Sequence, residues 1–314
     1  MMHLDAGQLA ARLPRRELVD ALDQAFRTRT EVPPRQRYSL GPEGQDAASL
    51  LIMPAWRGTV MGVKLVTVCP QNAARGIGAV QAIYTLFDAR TGVPRATMDG
   101  AELTHRRTGA ASALAARYLA DAHATRLLMV GSGGLAAHVI ESHAVVRPIR
   151  EVRIWGRTLA RAQDIAARLS GASAQYSIEA TEDLEGAVRW ADIISCATLA
   201  GSPLIRGAWL RAGQHLDLIG SFRPDMREAD EEALRIAEVY VDTREGALRE
   251  SGELVQAIAS GALLASDIRG ELSDLARGAV AGRVDPHQIT LFKSVGTAIE
   301  DLAAAELALV KLLL

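Results

Sequence analysis

Several groups of residues in this sequence have the type and spacing to do chemistry. Gly131-Ser132-Gly133-Gly134-Leu135-Ala136 follows the apolar run Leu127–Val130 and precedes a helical stretch. This is the Gly-x-Gly-x-x-Ala form of a dinucleotide fingerprint. Gly131 permits the tight turn, Gly133 lets a pyrophosphate approach the backbone, and Ala136 allows close helix-to-strand packing, with phosphate facing the helix N-terminal amides. No Gly-Lys-Ser/Thr follows, so a triphosphate loop is not expected. The end of the next strand, Val152-Arg-Ile-Trp155-Gly156-Arg157-Thr158, lacks the acid that an NAD-selective site places on the adenosine ribose. Arg157 can instead pair with a 2′-phosphate, and Thr158 can cap the following helix and donate a hydrogen bond. NADP(H) is therefore the expected cofactor, with NAD(H) the second choice. The plainer alternative makes Arg157 a solvated surface residue and Thr158 only a cap.

A second group is basic. Lys64 lies in Val60-Met-Gly-Val-Lys64-Leu-Val-Thr-Val68, whose other members are almost all apolar. It either snorkels at a sheet edge or is held in a pocket. Arg106 and Arg107 fall just before or within the first turn of a helix expected from Thr108, where the helix dipole disfavours cations. A nearby anion would explain them; a solvated pair is the alternative. His138 and His143 are five apart, which misses the one-face spacing of a metal site, so no metal is expected.

These residues need elements to hold them. Leu18, Leu22, Ala25 and Phe26 recur at helical spacing behind Pro14, giving a first helix over 14–27. Ser49–Met53, Val60–Val68 and Val80–Phe87 read as strands, with a hairpin turn at Asp88–Gly92. With an Ala-rich helix over Thr108–Ala122, the first 120 residues look α+β around a largely antiparallel sheet. From Arg126 strands and helices alternate: Leu127–Val130, Gly133–Val146, Glu151–Trp155, Thr158–Leu169, then strands near Asp192–Cys196, His215–Ile219 and Val239–Asp242. That alternation predicts an α/β fold with a Rossmann-type doubly wound parallel sheet. Val295–Leu314 closes the chain as a long helix.

Composition fits this plan. The chain has 314 residues, enough for two domains at roughly 150 residues each. With 35 basic and 37 acidic side chains and a pI near 6.4, bulk binding to nucleic acid or an anionic membrane surface is not expected. Small molecules and other subunits are the expected partners. No segment is long and uncharged enough to span a bilayer, and the opening Met-Met-His-Leu-Asp-Ala has no secretory signature, so a soluble cytoplasmic protein is expected. Cys69 and Cys196 are the only cysteines and read as buried small hydrophobes.

Together Lys64-Leu-Val-Thr, Met98-Asp-Gly-Ala-Glu-Leu-Thr, Arg107-Thr-Gly-Ala-Ala-Ser-Ala, Gly131-Ser-Gly-Gly, Val152-Arg-Ile-Trp-Gly-Arg-Thr158 and Thr290-Leu-Phe-Lys-Ser-Val-Gly296 resemble the ornithine cyclodeaminase/μ-crystallin family, from about residue 30 to the last helix. The resemblance implies a homodimer. It also implies a discontinuous substrate-binding and dimerisation domain (1–120 plus 291–314), a dinucleotide-binding domain (121–290), and a small cyclic imino acid or amino acid as substrate. Matching positions put Arg35, Lys64 and Arg107 around the substrate carboxylate, with Arg37 a substitute for Arg35. They put Thr108 on a phosphate, Ala197-Thr198-Leu199 beside the fourth strand, and Ile219-Gly220-Ser221 with Ser294-Val295 near the nicotinamide. On plainer readings Thr198 is a strand-end turn residue and Ser294 a helix cap.

The resemblance covers more than one reaction. Cyclodeaminases place an aspartate two residues after a glycine in the loop beyond the fifth strand; here Gly220 is followed two residues later by Phe222, and Asp225 lies three further on. They also resemble NAD enzymes with an acid after the second strand, which this chain lacks. The Gly-Ser-Phe-Arg-Pro-Asp loop looks like the ketimine-reductase side of the family. The expected activity is NADPH-dependent reduction of Δ1-pyrroline-2-carboxylate to L-proline, with reduction of the six-membered Δ1-piperideine-2-carboxylate to L-pipecolate as a second expectation. The alternatives are an ornithine cyclodeaminase recycling NAD, an alanine dehydrogenase-like enzyme, and a crystallin-like cofactor-binding protein without turnover.

Overall fold

The computed structural model describes residues 1–41, 48–171 and 175–313. The chain divides into two compact units, Met1–Arg107 with Thr297–Leu314, and Thr108–Gly296. The sequence reading divides it at 120/121 and 290/291 instead.

The first unit opens with β1 (Met2–Leu4), α1 (Ala6–Arg12) and α2 (Arg15–Arg27). Leu18, Val19, Leu22, Ala25 and Phe26 of α2 are buried, the face read from helical spacing. Then come β2 (Gln36–Ser39), β3 (Ser49–Arg57), β4 (Val60–Val68), β5 (Val80–Asp88) and β6 (Pro94–Asp99). They form a mixed sheet in the order β1-β6-β5-β4-β3-β2, antiparallel except for the β1–β6 pair. β1 and β2, with three and four residues, carry too little pattern to be expected from sequence.

The next helix, α3 (Gly100–Leu119), starts eight positions ahead of the expected Thr108. Asp99 is the reason: its carboxylate accepts from the Glu102 amide at 2.8 Å, capping the helix before the Ala-rich run begins. Arg106 and Arg107 therefore lie well inside the helix, and the argument from an unfavourable dipole at its first turn does not apply to them.

The second unit runs β7 (Arg126–Val130), α4 (Leu135–Val146), β8 (Glu151–Trp155), α5 (Leu159–Leu169), β9 (Ser177–Thr181), α6 (Leu184–Trp190), β10 (Ile193–Cys196) and β11 (His215–Leu218). It continues with α7 (Glu231–Ile236), β12 (Glu238–Val241), α8 (Arg244–Glu250), α9 (Gly252–Ala259), β13 (Ile268–Glu271), α10 (Leu272–Arg277) and β14 (Thr290–Lys293). All eight strands are parallel, in the order β13-β12-β14-β11-β10-β7-β8-β9. Helices cover both faces, so the strands are apolar on both sides. Leu128, Val130, Ile194, Leu216 and Leu218 join one core cluster, while Leu127, Met129, Ile154 and Ile193 join the other. This is the expected doubly wound sheet, whose switch point lies between β7 and β10. The short strands β9, β13 and β14 are additions to the sequence reading.

The last element, α11 (Ala298–Leu313), returns to the first unit and packs on α2, β3 and β4. Leu314 lies outside the described residues. Among the described residues no helix is long and apolar enough to cross a membrane.

Candidate active site

In the first unit, Lys64 is buried, 1% exposed, on the inner face of β4. It does not snorkel at an edge, since β4 is paired on both sides. Its Nζ lies 2.8 Å and 2.7 Å from the two carboxylate oxygens of Asp301 on α11, and 3.5 Å from the Thr104 hydroxyl on α3. Arg107, one turn along α3, donates to Glu300 and brings Nε within 3.0 Å of Asp301. Glu300 and Asp301 are both fully buried. A buried cation without a partner costs several kcal/mol, and here two acids offset two bases. Burial lowers the Lys64 pKa to about 8, with the Arg107 charge adding and Asp301 opposing. Arg35 contributes in the same direction and also helps to hold Asp301 ionised, so the structure brings its charge to this cluster. Arg37 is exposed on β2. Arg106 is bound to Glu102 at 2.5 Å and to the Leu13 carbonyl at 3.0 Å, a structural role.

In the second unit, the expected cofactor residues fall on one edge of the sheet. The row passes through the segments after β8 (Arg157, Thr158), β7 (Gly131 to Leu135), β10 (Ala197, Thr198, Leu199), β11 (Ile219) and β14 (Ser294, Val295), each just beyond a strand's C-terminal end. Ligands of open α/β sheets bind along this edge. Gly131 has φ +122°, and a Cβ there would sit 2.6 Å from the Ala197 carbonyl oxygen, so only glycine serves. At Gly133 a Cβ would meet nothing within 4 Å, which leaves room for a phosphate. Gly134 precedes α4 without a side-chain cap; the Ala136 amide turns back to the Gly133 carbonyl at 3.1 Å, and the helix N-terminus otherwise suits an anion. The residues present thus fit a dinucleotide. Ser132 is half-buried, Leu199 exposed, and Thr108 buried at the unit's first position.

Arg157 and Thr158 are exposed. Arg157 has no partner among the described residues, and the Thr158 hydroxyl makes no cap bond although it sits at the N-cap of α5. A cap is therefore not what occupies Thr158. Ser294 does not cap a helix either. α11 begins at Ala298, and the Ser294 hydroxyl donates to Asp242 at 2.9 Å. The same Asp242 oxygen takes the amides of Val295 and Gly296 at 2.8 and 2.7 Å, fixing the loop after β14. Thr198 is more than a turn residue, since its amide and hydroxyl both bind the Glu228 carboxylate. Cys196 is buried, while Cys69 is only partly so, against the expectation for both.

Sequence reasoning missed Asp301, Glu300, Glu228, Glu253, Asp242 and Lys293, all fully buried. Asp301 and Glu300 lie three or four residues into an Ala- and Leu-rich helix, where acids in a first turn read as dipole partners. Lys293 carried a signal, a lysine inside Thr290-Leu-Phe-Lys of the same kind as Lys64. Phe222 is half-buried, and Asp225 is exposed and bound to Arg223 at 2.9 and 2.5 Å.

A model of the ornithine cyclodeaminase/mu-crystallin family matches residues 4–311. The chain belongs to this family. It is 40% identical to a Delta(1)-pyrroline-2-carboxylate reductase of Paracoccus denitrificans over 96% of this chain and 94% of the relative. Among solved structures, the Thermococcus litoralis Delta(1)-pyrroline-2-carboxylate reductase in complex with NADH and L-proline is similar with a TM-score of 0.95 and 32% identity, covering 100% of this chain and 98% of that one. An archaeal alanine dehydrogenase dimer with bound NAD reaches a TM-score of 0.91 at 28% identity, over 100% and 96% of the two chains. The family's relatives thus include nicotinamide-dependent oxidoreductases, and the fold is theirs.

Proposed function

We propose that this protein is an NAD(P)H-dependent ketimine reductase that converts Δ1-pyrroline-2-carboxylate to L-proline, and accepts the six-membered Δ1-piperideine-2-carboxylate to give L-pipecolate. The observation that carries the reading is Lys64, buried, with a pKa near 8, between Asp301 and Arg107. Arg107 and Arg35 supply planar guanidinium donors suited to the carboxylate of a cyclic imino acid. Holding that carboxylate fixes C2 of the ring for attack. Lys64 donates a proton to the imine nitrogen, which makes C2 electrophilic toward hydride, and a group half-titrated near pH 8 is suited to that transfer. When bound, the nicotinamide cofactor supplies the hydride.

Cyclodeamination is disfavoured by Phe222, which carries no proton, and by Asp225, engaged with Arg223 at the surface. Preference for NADP(H) is supported by Arg157, exposed and without a partner among the described residues, beside an uncommitted Thr158 hydroxyl. A homodimer is supported by apolar side chains on the outer face of the first unit's sheet. Leu65 and Ile83 pair across β4 and β5 yet remain 39% and 42% exposed, and a second copy is the occupant that such a patch fits. The cytoplasm is the proposed location.

The test is NADPH oxidation by purified protein with Δ1-pyrroline-2-carboxylate, with NADH as the paired control. Turnover with NADPH in excess of NADH supports the reading. Failure with both cofactors, together with release of ammonia from L-ornithine in the presence of NAD, replaces it with the cyclodeaminase.

A further inference from the structure

We propose that Glu228 is the positioning residue that holds the loops after β10 and β11 in the shape the nicotinamide cofactor needs. This deepens the function proposed above and rests on its reading of those loops as cofactor contacts. Glu228 itself touches neither cofactor nor substrate in this scheme; it acts through Thr198, Gly220 and Ser221.

The geometry is that of a clamp. Glu228 is fully buried. Its Oε1 accepts the Thr198 amide at 2.7 Å and the Thr198 hydroxyl at 2.8 Å, while its Oε2 accepts the amides of Gly220 at 2.8 Å and Ser221 at 3.2 Å. One carboxylate thus takes two donors from each loop, filling both oxygens, which only the ionised form can do. The loops approach so closely that a Cβ on Gly220 would lie 2.1 Å from the Thr198 nitrogen and 2.5 Å from Glu228 Oε1. No side chain separates them, and beyond the last ladder bond, from the Ile219 amide to the Cys196 carbonyl at 2.9 Å, the carboxylate ties the two loops together.

A second tier holds the clamp. Glu253 on α9 accepts the Glu228 amide at 2.7 Å and the hydroxyls of Ser221 and Ser251 at 2.5 and 3.1 Å. Lys293 on β14 lies 3.2 Å from Glu253 and donates to the Ser221 hydroxyl at 2.5 Å. Two buried acids on one buried ammonium are a poor way to stabilise a core, where apolar packing of the same volume does as well or better. What the arrangement provides is direction. With its proton committed to Glu228, the Thr198 hydroxyl presents only lone pairs outward, an acceptor for an amide or ribose donor. Asp242 does the same work for the loop after β14, so the acceptors along this edge are fixed from beneath.

The clamp also ties cofactor binding to pH. Burial raises the Glu228 pKa to about 7, with Glu253 adding and Lys293 opposing. The Cys196 thiol at the end of β10, which also faces Glu228, is pushed up by burial and stays neutral. A proton on Glu228 removes one acceptor from the four, so cofactor binding weakens as pH falls through about 7.

The test is fluorescence titration of NADPH and NADH onto the wild-type protein and Glu228→Gln, at about pH 6 and about pH 8.5, flanking the titration. NADH carries no 2′-phosphate, so its profile is free of that group's own titration. Wild type is expected to bind both cofactors more weakly at the lower pH. Glu228→Gln sets an amide NH2 against two backbone N–H donors. It should raise the Kd of both by about tenfold or more at the higher pH, lose the pH dependence, and change kcat at saturating cofactor less than Kd. Thr198→Val keeps the carboxylate, removes one donor, and should move Kd the same way if the glutamine variant does not fold. Wild-type affinity in either folded variant, or a wild-type affinity flat in pH, overturns the clamp alone. Failure of wild type to bind either cofactor overturns the cofactor reading and the clamp with it.

Discussion

Lys64 and Asp301 are 237 residues apart in sequence, yet the Lys64 ammonium faces both oxygens of the Asp301 carboxylate, at 2.8 and 2.7 Å. The pair joins the middle strand of a sheet to the first turn of the last helix. Arg107 also reaches Asp301, at 3.0 Å, but only Lys64 comes from the sheet, so the pair fixes α11 on β4 as much as it tunes the lysine.

If Lys64 is the proton donor, activity depends on its protonated fraction. Its pKa is lowered to about 8, so the donor is protonated below that value and lost above it. The kcat/KM for Δ1-pyrroline-2-carboxylate should fall as pH rises through about 8. Lys64→Met should reduce kcat/KM by about 10²–10⁴-fold and abolish that limb, with cofactor Kd unchanged. A steady-state profile over the two proteins decides it; a limb that persists in the methionine variant removes Lys64 from the role.

At Arg157, removal of the guanidinium should be felt only by the phosphorylated cofactor. Arg157→Ala is expected to raise the KM for NADPH by about 10- to 100-fold, the worth of a charge-assisted hydrogen bond pair, and to leave the KM for NADH as it was. Equal effects on the two cofactors would assign Arg157 to the surface.

The turn at Gly131 makes a sharper stability prediction. An alanine there meets both a φ of +122° and the Ala197 carbonyl oxygen at 2.6 Å. Gly131→Ala should lose about 1–3 kcal/mol, read as a fall in Tm, and should weaken cofactor binding because the phosphate loop shifts. Gly133→Ala, with open space around it, should keep the Tm and lose cofactor affinity by steric exclusion alone.

Placing a charge on the apolar sheet face tests assembly. Ile83→Glu, directly across from Leu65, should convert a dimer to a monomer in sedimentation velocity. The isolated monomer should keep its far-ultraviolet circular dichroism spectrum, since Ile83 points away from the buried side of β5. An unchanged sedimentation coefficient would place the interface elsewhere.

The parallel sheet and its cofactor edge were legible because each strand-helix unit announces itself locally: an apolar run, glycines at fixed spacing, then a helical period. The glycine loop, Arg157 and Thr158 follow from that spacing, while Ala197 to Leu199, Ile219 and Ser294 with Val295 needed the family resemblance, since short strands such as β14 are indistinguishable from loop by periodicity. What stayed hidden is the set of buried acids. Asp301 and Glu253 sit in first turns of helices, where an acid is ordinary, and Glu228 sits in a loop; burial, the property that makes them matter, leaves no trace in sequence spacing. The Ala-rich run places the start of α3 at Thr108, whereas the cap at Asp99 sets it at Gly100.

The place of β14 has a consequence for how the chain is made. It lies between β11 and β12, which bond to its two sides and not to each other. During synthesis β11 and β12 emerge first and must wait, roughly 10 Å apart in their eventual positions, for residues 290–293 to fill the slot. The same closing stretch then delivers α11 to the first unit. Neither unit is complete before residues 290–313 have been made, so a nascent chain stalled short of residue 290 should expose two unsatisfied strand edges, inviting chaperone capture rather than stepwise domain folding.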